Sequence, residues 1–208
     1  MTLQQTIGSR AGKLAEAEAE LVDRLDPDSR SPAAKAVTIV GKLGDQPEMR
    51  MLGGAILAAG LVSRRRPLAA AGVRMLVAHE IATFLKSAAK SRIDRVRPRS
   101  ARSEGERRIR PGRSQAKEKT SFPSGHSAGT FAVARALARE YPAARPAALA
   151  AAGAVSAAQV PRIAHYPSDV AAGAIIGIAA EAMSHLLWEA ARRIVRPSAR
   201  RRASRLRA

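Results

Sequence analysis

The chain has 208 residues, with 36 Lys and Arg against 17 Asp and Glu, a formal charge of +19. It has no cysteine, which excludes a disulfide-stapled fold, a cysteine nucleophile and any thiolate zinc site. Apolar residues make up 46% of the chain and aromatics only 3%, and most of the apolar share is Ala; that composition suits helices and is poor for strands.

Residues 1–32 mix acids with bases and contain no apolar h-region, so no secretory signal is expected there. Ala11–Leu25 is rich in Ala and Glu and predicts a surface helix. Asp26-Pro27-Asp28 and Ser31-Pro32 punctuate the chain, and Ala33–Leu43 predicts a second short helix. Apolar character begins at Met49. Met51–Val62 is an apolar run closed by Arg64-Arg65-Arg66-Pro67, and Leu68–Ala89 is a long helical pattern interrupted by Arg74, His79, Glu80 and Lys86. Residues 90–122 are rich in Arg and Lys, with Arg107 and Arg108 near the middle, and predict a long loop; such loops are commonly functional. Helical pattern resumes over Ser124–Tyr141, Ala147–Val160 and Val170–Trp188, and an Arg-rich tail from Arg192 to Arg207 follows. The expected organisation is a surface helical segment 1–48, a bundle 49–190 with its core at 86–170, and a tail 191–208.

Only Val170–Trp188 approaches the roughly 20 apolar residues of a bilayer span, and it holds Glu181 and His185. These two are four apart and predict an intrahelical pair. Tyr141, Trp188 and the Arg triplet stand at the ends of apolar runs, as interface anchors do. The expectation is therefore an all-α helical bundle embedded in a membrane. Four spans are assumed between Met51 and Trp188. Arg64–Arg66 and the tail would lie in the cytoplasm of a bacterial-type cell membrane, with residues 1–48 and the motif side facing the exterior.

The chemistry is concentrated in three places: Lys90-x6-Arg97-Pro98, Pro123-Ser124-Gly125-His126, and His165-Tyr166-Pro167-Ser168-Asp169. Each stands at the end of an apolar helix. If the helices alternate in direction, all three ends meet on one side of the bundle. A phosphate ester needs cations and N–H donors around its oxygens. Arg97 can fork onto two oxygens while Lys90 acts as a point charge. Ser124 and Gly125 open a helix whose N–H groups can face an anion. His165 and Asp169, four apart, can share a helical face, so that the carboxylate orients the imidazole. His165 then suits a nucleophile and His126 a proton donor to the leaving oxygen. No carboxylate cluster suggests a metal.

This ordered set resembles the type 2 phosphatidic acid phosphatase superfamily, which includes soluble acid phosphatases and vanadium haloperoxidases. Its motifs Lys-x6-Arg-Pro and Pro-Ser-Gly-His match in full. The third, Ser-Arg-x5-His-x3-Asp, matches in its second half, while Ala158 and Gln159 replace its Ser and Arg. Arg162 is the nearby cation that could stand in for that Arg. The resemblance implies a phosphohistidine on His165 partnered by Asp169, an acid at His126, and phosphate contacts from Lys90, Arg97, Ser124 and Gly125. It implies no cofactor and no metal. The expected substrate is a lipid phosphate or pyrophosphate, with membrane lipids around the protein and no nucleic acid partner. The alternatives are a soluble or peripheral phosphatase of small phosphomonoesters and, behind it, a binder of anionic membranes or nucleic acid.

Overall fold

The computed structural model describes residues 3–27, 30–104 and 109–205, and side chains within 12–27, 30–103 and 109–194. Asp28, Arg107, Arg108 and Arg207 lie outside the described residues, as do the side chains of the tail beyond Ile194. Eight α-helices are described: α1 Leu3–Leu25, α2 Pro32–Lys42, α3 Gln46–Val62, α4 Arg66–Lys90, α5 Pro98–Glu104, α6 Gly125–Glu140, α7 Arg145–Ala157 and α8 Pro167–Arg205. Two short antiparallel strands, β1 Ile93–Asp94 and β2 Arg110–Pro111, lie in the basic segment.

Local chemistry sets several boundaries. Ser31 caps α2 by accepting from the Ala34 N–H, and Pro32 follows at the first helical position, where it has no N–H to leave unpaired. Ser124 caps α6 in the same way through the Ser127 N–H. Pro67 opens α4 and Pro146 opens α7.

Helices α3, α4, α6, α7 and α8 form the bundle: α4 packs against α3, α6 and α8, and α6 against α7 and α8. Asp45, at the start of α3, lies on the same side as the ends of α4 and α7 and the starts of α6 and α8. The core joining α4, α6 and α8 is built mainly from Ala: Ala78, Ala82, Ala128, Ala132, Ala136 and Ala180 are buried around Met75. Small side chains bring the helix axes close. A Cβ at Gly173 would lie 2.3 Å from the Ser124 carbonyl oxygen, and one at Gly177 would lie 2.4 Å from that of Ala128. This small-x-x-x-small stripe seats α8 directly on α6, and Ser124 N–H donates to the Asp169 carbonyl at 2.9 Å.

Four expectations need correction. First, α1 is no free surface helix: Ala15, Glu18, Ala19 and Val22 are buried, and Ala19 and Val22 pack with Val160, Ile163 and Tyr166. Second, α8 continues unbroken from Pro167 through the expected tail boundary to Arg205, since nothing in Arg192–Arg205 but Pro197 opposes a helix. Third, Glu181 does not pair with His185. It accepts from Arg139 at 2.7 Å and Arg135 at 3.1 Å, both on α6, while His185 lies 3.5 Å from Arg74. Cross-helix guanidinium groups, which fork onto both oxygens, outcompete the imidazole for a buried carboxylate. Fourth, Arg66–Lys90 as well as Pro167–Ile194 is long and apolar enough to cross a membrane. The interior charge of Arg74 is buried in an ion pair with Glu140 at 2.7 Å.

Candidate active site

The three motifs converge on a cleft of about 360 Å³ lined by Lys86, Lys90, Arg97, Gly125, His126 and His165, with Gly44 to Glu48 closing one side. The His126 and His165 rings stand 6.2 Å apart, edge to face.

The basic segment is held by backbone pairing although it has few apolar side chains. Arg95 N–H donates to the Lys119 carbonyl, Arg97 N–H to that of Glu118, and Ser121 N–H to that of Arg95. Asp94 accepts from the Ser114 N–H. Arg97 is aimed by three backbone carbonyls, those of Lys117 at 2.8 Å, Ala164 at 3.1 Å and Thr120 at 3.5 Å. Burial lowers its guanidinium from the ordinary arginine value. Lys90 Nζ donates to the Thr120 carbonyl.

His165 precedes α8 and does not share a helix with Asp169. Residues 158–164 are a turn, not the helix that would have compared Arg162 with Gln159 by angle. Ile163 sits at φ 54°, a left-handed conformation that is costly for a β-branched residue and is held here by burial under α1. His165 N–H returns to the Gln159 carbonyl. The ring is almost fully buried, with Nδ1 3.7 Å from Asp169 Oδ2. Burial pushes the imidazole down to about 4, against the opposing pull of Asp169. It is neutral at physiological pH, with Nδ1 toward Asp169 and the opposite edge toward the cleft.

Asp169 is held from three directions: Arg95 Nη1 donates at 2.6 Å, Ser121 Oγ at 2.5 Å and the Tyr166 N–H at 3.0 Å. Arg95 continues the chain by donating to Glu18 of α1 at 2.8 Å and to Ser168 at 2.7 Å, and it stacks 4.0 Å from the Tyr166 ring. The sequence reading missed Arg95, Glu18, Ser121, Lys86 and Asp45. Lys86 carried a signal, being one helical turn before Lys90. Arg95 was one cation in a basic run and Glu18 one acid in an Ala/Glu helix.

Two expected phosphate contacts are placed differently. Ser124 is fully buried with its N–H and Oγ engaged in helix packing and capping, so it buttresses the cleft while Gly125 lines it. Arg162 does not line the cleft. It lies on a neighbouring cavity of about 880 Å³ and donates to Gln159 Oε1 at 3.2 Å. Gln159, at the family Arg position, is buried and donates to the carbonyls of Gly41 and Val155. No group of three or more metal-ligating side chains occurs among the described residues.

Two solved structures share this fold. The first transmembrane PAP2 type phosphatidylglycerolphosphate phosphatase from Bacillus subtilis is 22% identical, with a TM-score of 0.62 over 85% of this chain and 87% of that one. Aquifex aeolicus LpxE is 22% identical, with a TM-score of 0.57 over 79% of this chain and 92% of that one. No curated protein is significantly similar in sequence. The sequence model of the PAP2 superfamily matches residues 71–193, more than half of the chain and every motif residue of the cleft, and the chain therefore belongs to the PAP2 superfamily.

Proposed function

We propose that this protein is a membrane-embedded phosphatase of a lipid phosphate or lipid pyrophosphate, working through a phosphohistidine on His165. The observation that carries the reading is the pair of histidine rings 6.2 Å apart across a cleft lined by Lys86, Lys90 and Arg97. The phosphoryl group would sit between the rings, its oxygens held by Lys90, Arg97 and the Gly125 end of α6. The neutral His165 attacks phosphorus through Nε2 and becomes cationic. Asp169, already fixed by Arg95, then gains a full ion pair with it. The bond to the leaving oxygen breaks as His126 gives up its proton to that oxygen. Water then gives a proton to the neutral His126 and attacks phosphorus, breaking the P–N bond and returning neutral His165, protonated His126 and inorganic phosphate. Ser124 serves from behind the cleft as the cap of α6, and Arg162 stays outside it, on the neighbouring cavity.

The membrane part of the proposal rests on two long apolar helices whose outer faces expose Phe84, Ile175, Leu186 and Leu187, side chains that lipid would cover. Both the Arg64–Arg66 turn and Arg192–Arg193 lie at the end away from the cleft, so the positive-inside tendency puts the cleft outside the cytoplasm. A C-terminal reporter fusion should be active in the cytoplasm; activity only on the exterior side would overturn this orientation.

The test of the function is a phosphate-release screen over lipid phosphates with detergent-solubilised protein. Turnover should persist in EDTA and be inhibited by vanadate, which imitates pentacoordinate phosphorus. Turnover abolished by EDTA and restored by magnesium would sink the metal-free phosphohistidine route.

A further inference from the structure

Asp45 is the residue before α3, in the part of the chain that precedes the family match. Its backbone has the extended conformation of a helix cap (φ −64°, ψ 152°), yet its side chain makes no capping hydrogen bond. The carboxylate turns away from the helix it could cap, and Oδ1 lies 2.6 Å from His126 Nε2. The neighbouring glycine makes this approach possible. A Cβ at Gly44 would lie 2.6 Å from Val155 and 3.4 Å from His126 Cβ, so only glycine lets the α2–α3 turn settle against α6 and α7. His126 is mostly buried and Asp45 about 40% exposed at the cleft rim.

We infer that Asp45 is a positioning residue for His126: its carboxylate fixes the imidazole and stabilises the cation that must deliver a proton to the leaving oxygen. This rests on the phosphatase reading above and assigns a partner to its acid. With Nε2 held by Asp45, the other ring nitrogen is the one that serves the leaving group. The site then has two histidine–carboxylate pairs with different tasks. Asp169 supports a nucleophile that must start neutral, and Asp45 supports an acid that must start charged. Other charged groups face the pair. Glu48 comes from α3, Lys86 and Lys90 from α4, and Arg97 from the basic segment, with His165 across the cleft. Arg162 lies beyond His126. Burial above all, and then those cations, oppose a charged His126 and hold it below the ordinary imidazole value against the pull of Asp45, so without Asp45 the imidazolium would be lost at still lower pH.

The test compares Asp45→Asn, Asp45→Glu and His126→Ala on an alkyl phosphate, whose leaving oxygen needs a proton, and on nitrophenyl phosphate, whose leaving group does not. Asp45→Asn should lower kcat on the alkyl phosphate about tenfold or more, a part of the roughly 10²- to 10⁴-fold that general acid catalysis supplies. It should leave nitrophenyl phosphate within about threefold and move the alkaline limb of kcat to lower pH; Asp45→Glu should restore part of the loss. In the His126→Ala background, Asp45→Asn should add nothing, because the two act as one unit. Equal losses on both substrates, an unmoved alkaline limb or additive losses in the double variant would overturn the role of Asp45. Faster turnover in Asp45→Asn would also overturn it, by showing an occupant of the cleft. If His126→Ala itself showed no dependence on leaving group, the reading of His126 as the acid would fail first.

Discussion

Replacing His165 by Ala is expected to reduce phosphate release on the order of 10⁴-fold or more, the scale seen when covalent enzymes lose their nucleophile. Lys90, Arg97 and Gly125 remain in His165→Ala, so a lipid phosphate should still bind, and the loss should fall on kcat. His126→Ala should lose mainly on alkyl esters and recover in part on a nitrophenyl ester. The nucleophile must be neutral to attack, and burial supplies that: the His165 imidazole is expected to titrate near pH 4. The sign follows directly. Above about pH 4 the lone pair is free and the site competent; below it the ring is protonated and attack stops. An NMR titration of the imidazole with a midpoint at 6 or above would contradict this. Acid-labile, alkali-stable phosphate on the wild-type protein, absent in His165→Ala, is the accompanying signature.

Replacing Arg95 by Ala should have the largest effect on stability. The guanidinium is almost fully buried and bridges two buried carboxylates, Glu18 at 2.8 Å and Asp169 at 2.6 Å. Its removal leaves both carboxylates in an interior without a counter-charge, and breaking a buried pair in this way costs about 3–5 kcal/mol. The neutral isostere Glu18→Gln leaves the Arg95–Asp169 contact in place and should cost less. Because Asp169 would lose its anchor, kcat should fall in Arg95→Ala even at temperatures where the variant is folded. Denaturation of the detergent-solubilised protein, read beside activity, checks both. A stability change below 1 kcal/mol with normal kcat would show that the chain from Glu18 to His165 is not coupled.

These two expectations stand at different distances from the sequence. His165 and Asp169, His126, and Lys90 with Arg97 are close in the chain within each pair or motif, and their spacing and order were enough to mark them. The helices that carry them were equally legible, because Ala-rich apolar runs closed by Pro, Gly and Arg clusters leave few other local structures open. Arg95 and Glu18 are 77 residues apart, and Asp45 and His126 are 81 apart. No local pattern links such pairs. Arg95 is one of many arginines in its segment, and only its burial against α1 and α8 distinguishes it.

Sequence alone therefore determined the helical class and the family, because each depends on short-range periodicity or on residue types at fixed spacing. Tertiary structure decided the rest. It turned α1 from a surface helix into a buried support behind Arg95 and set Ser124 behind the cleft, since a buried cap position engages both its polar groups. It placed Arg162 on a neighbouring cavity, since the chain reverses at Ile163 and residues 158–166 form no helix. It also set a carboxylate against each cleft histidine, Asp169 beside His165 and, through long-range packing that no spacing reveals, Asp45 beside His126.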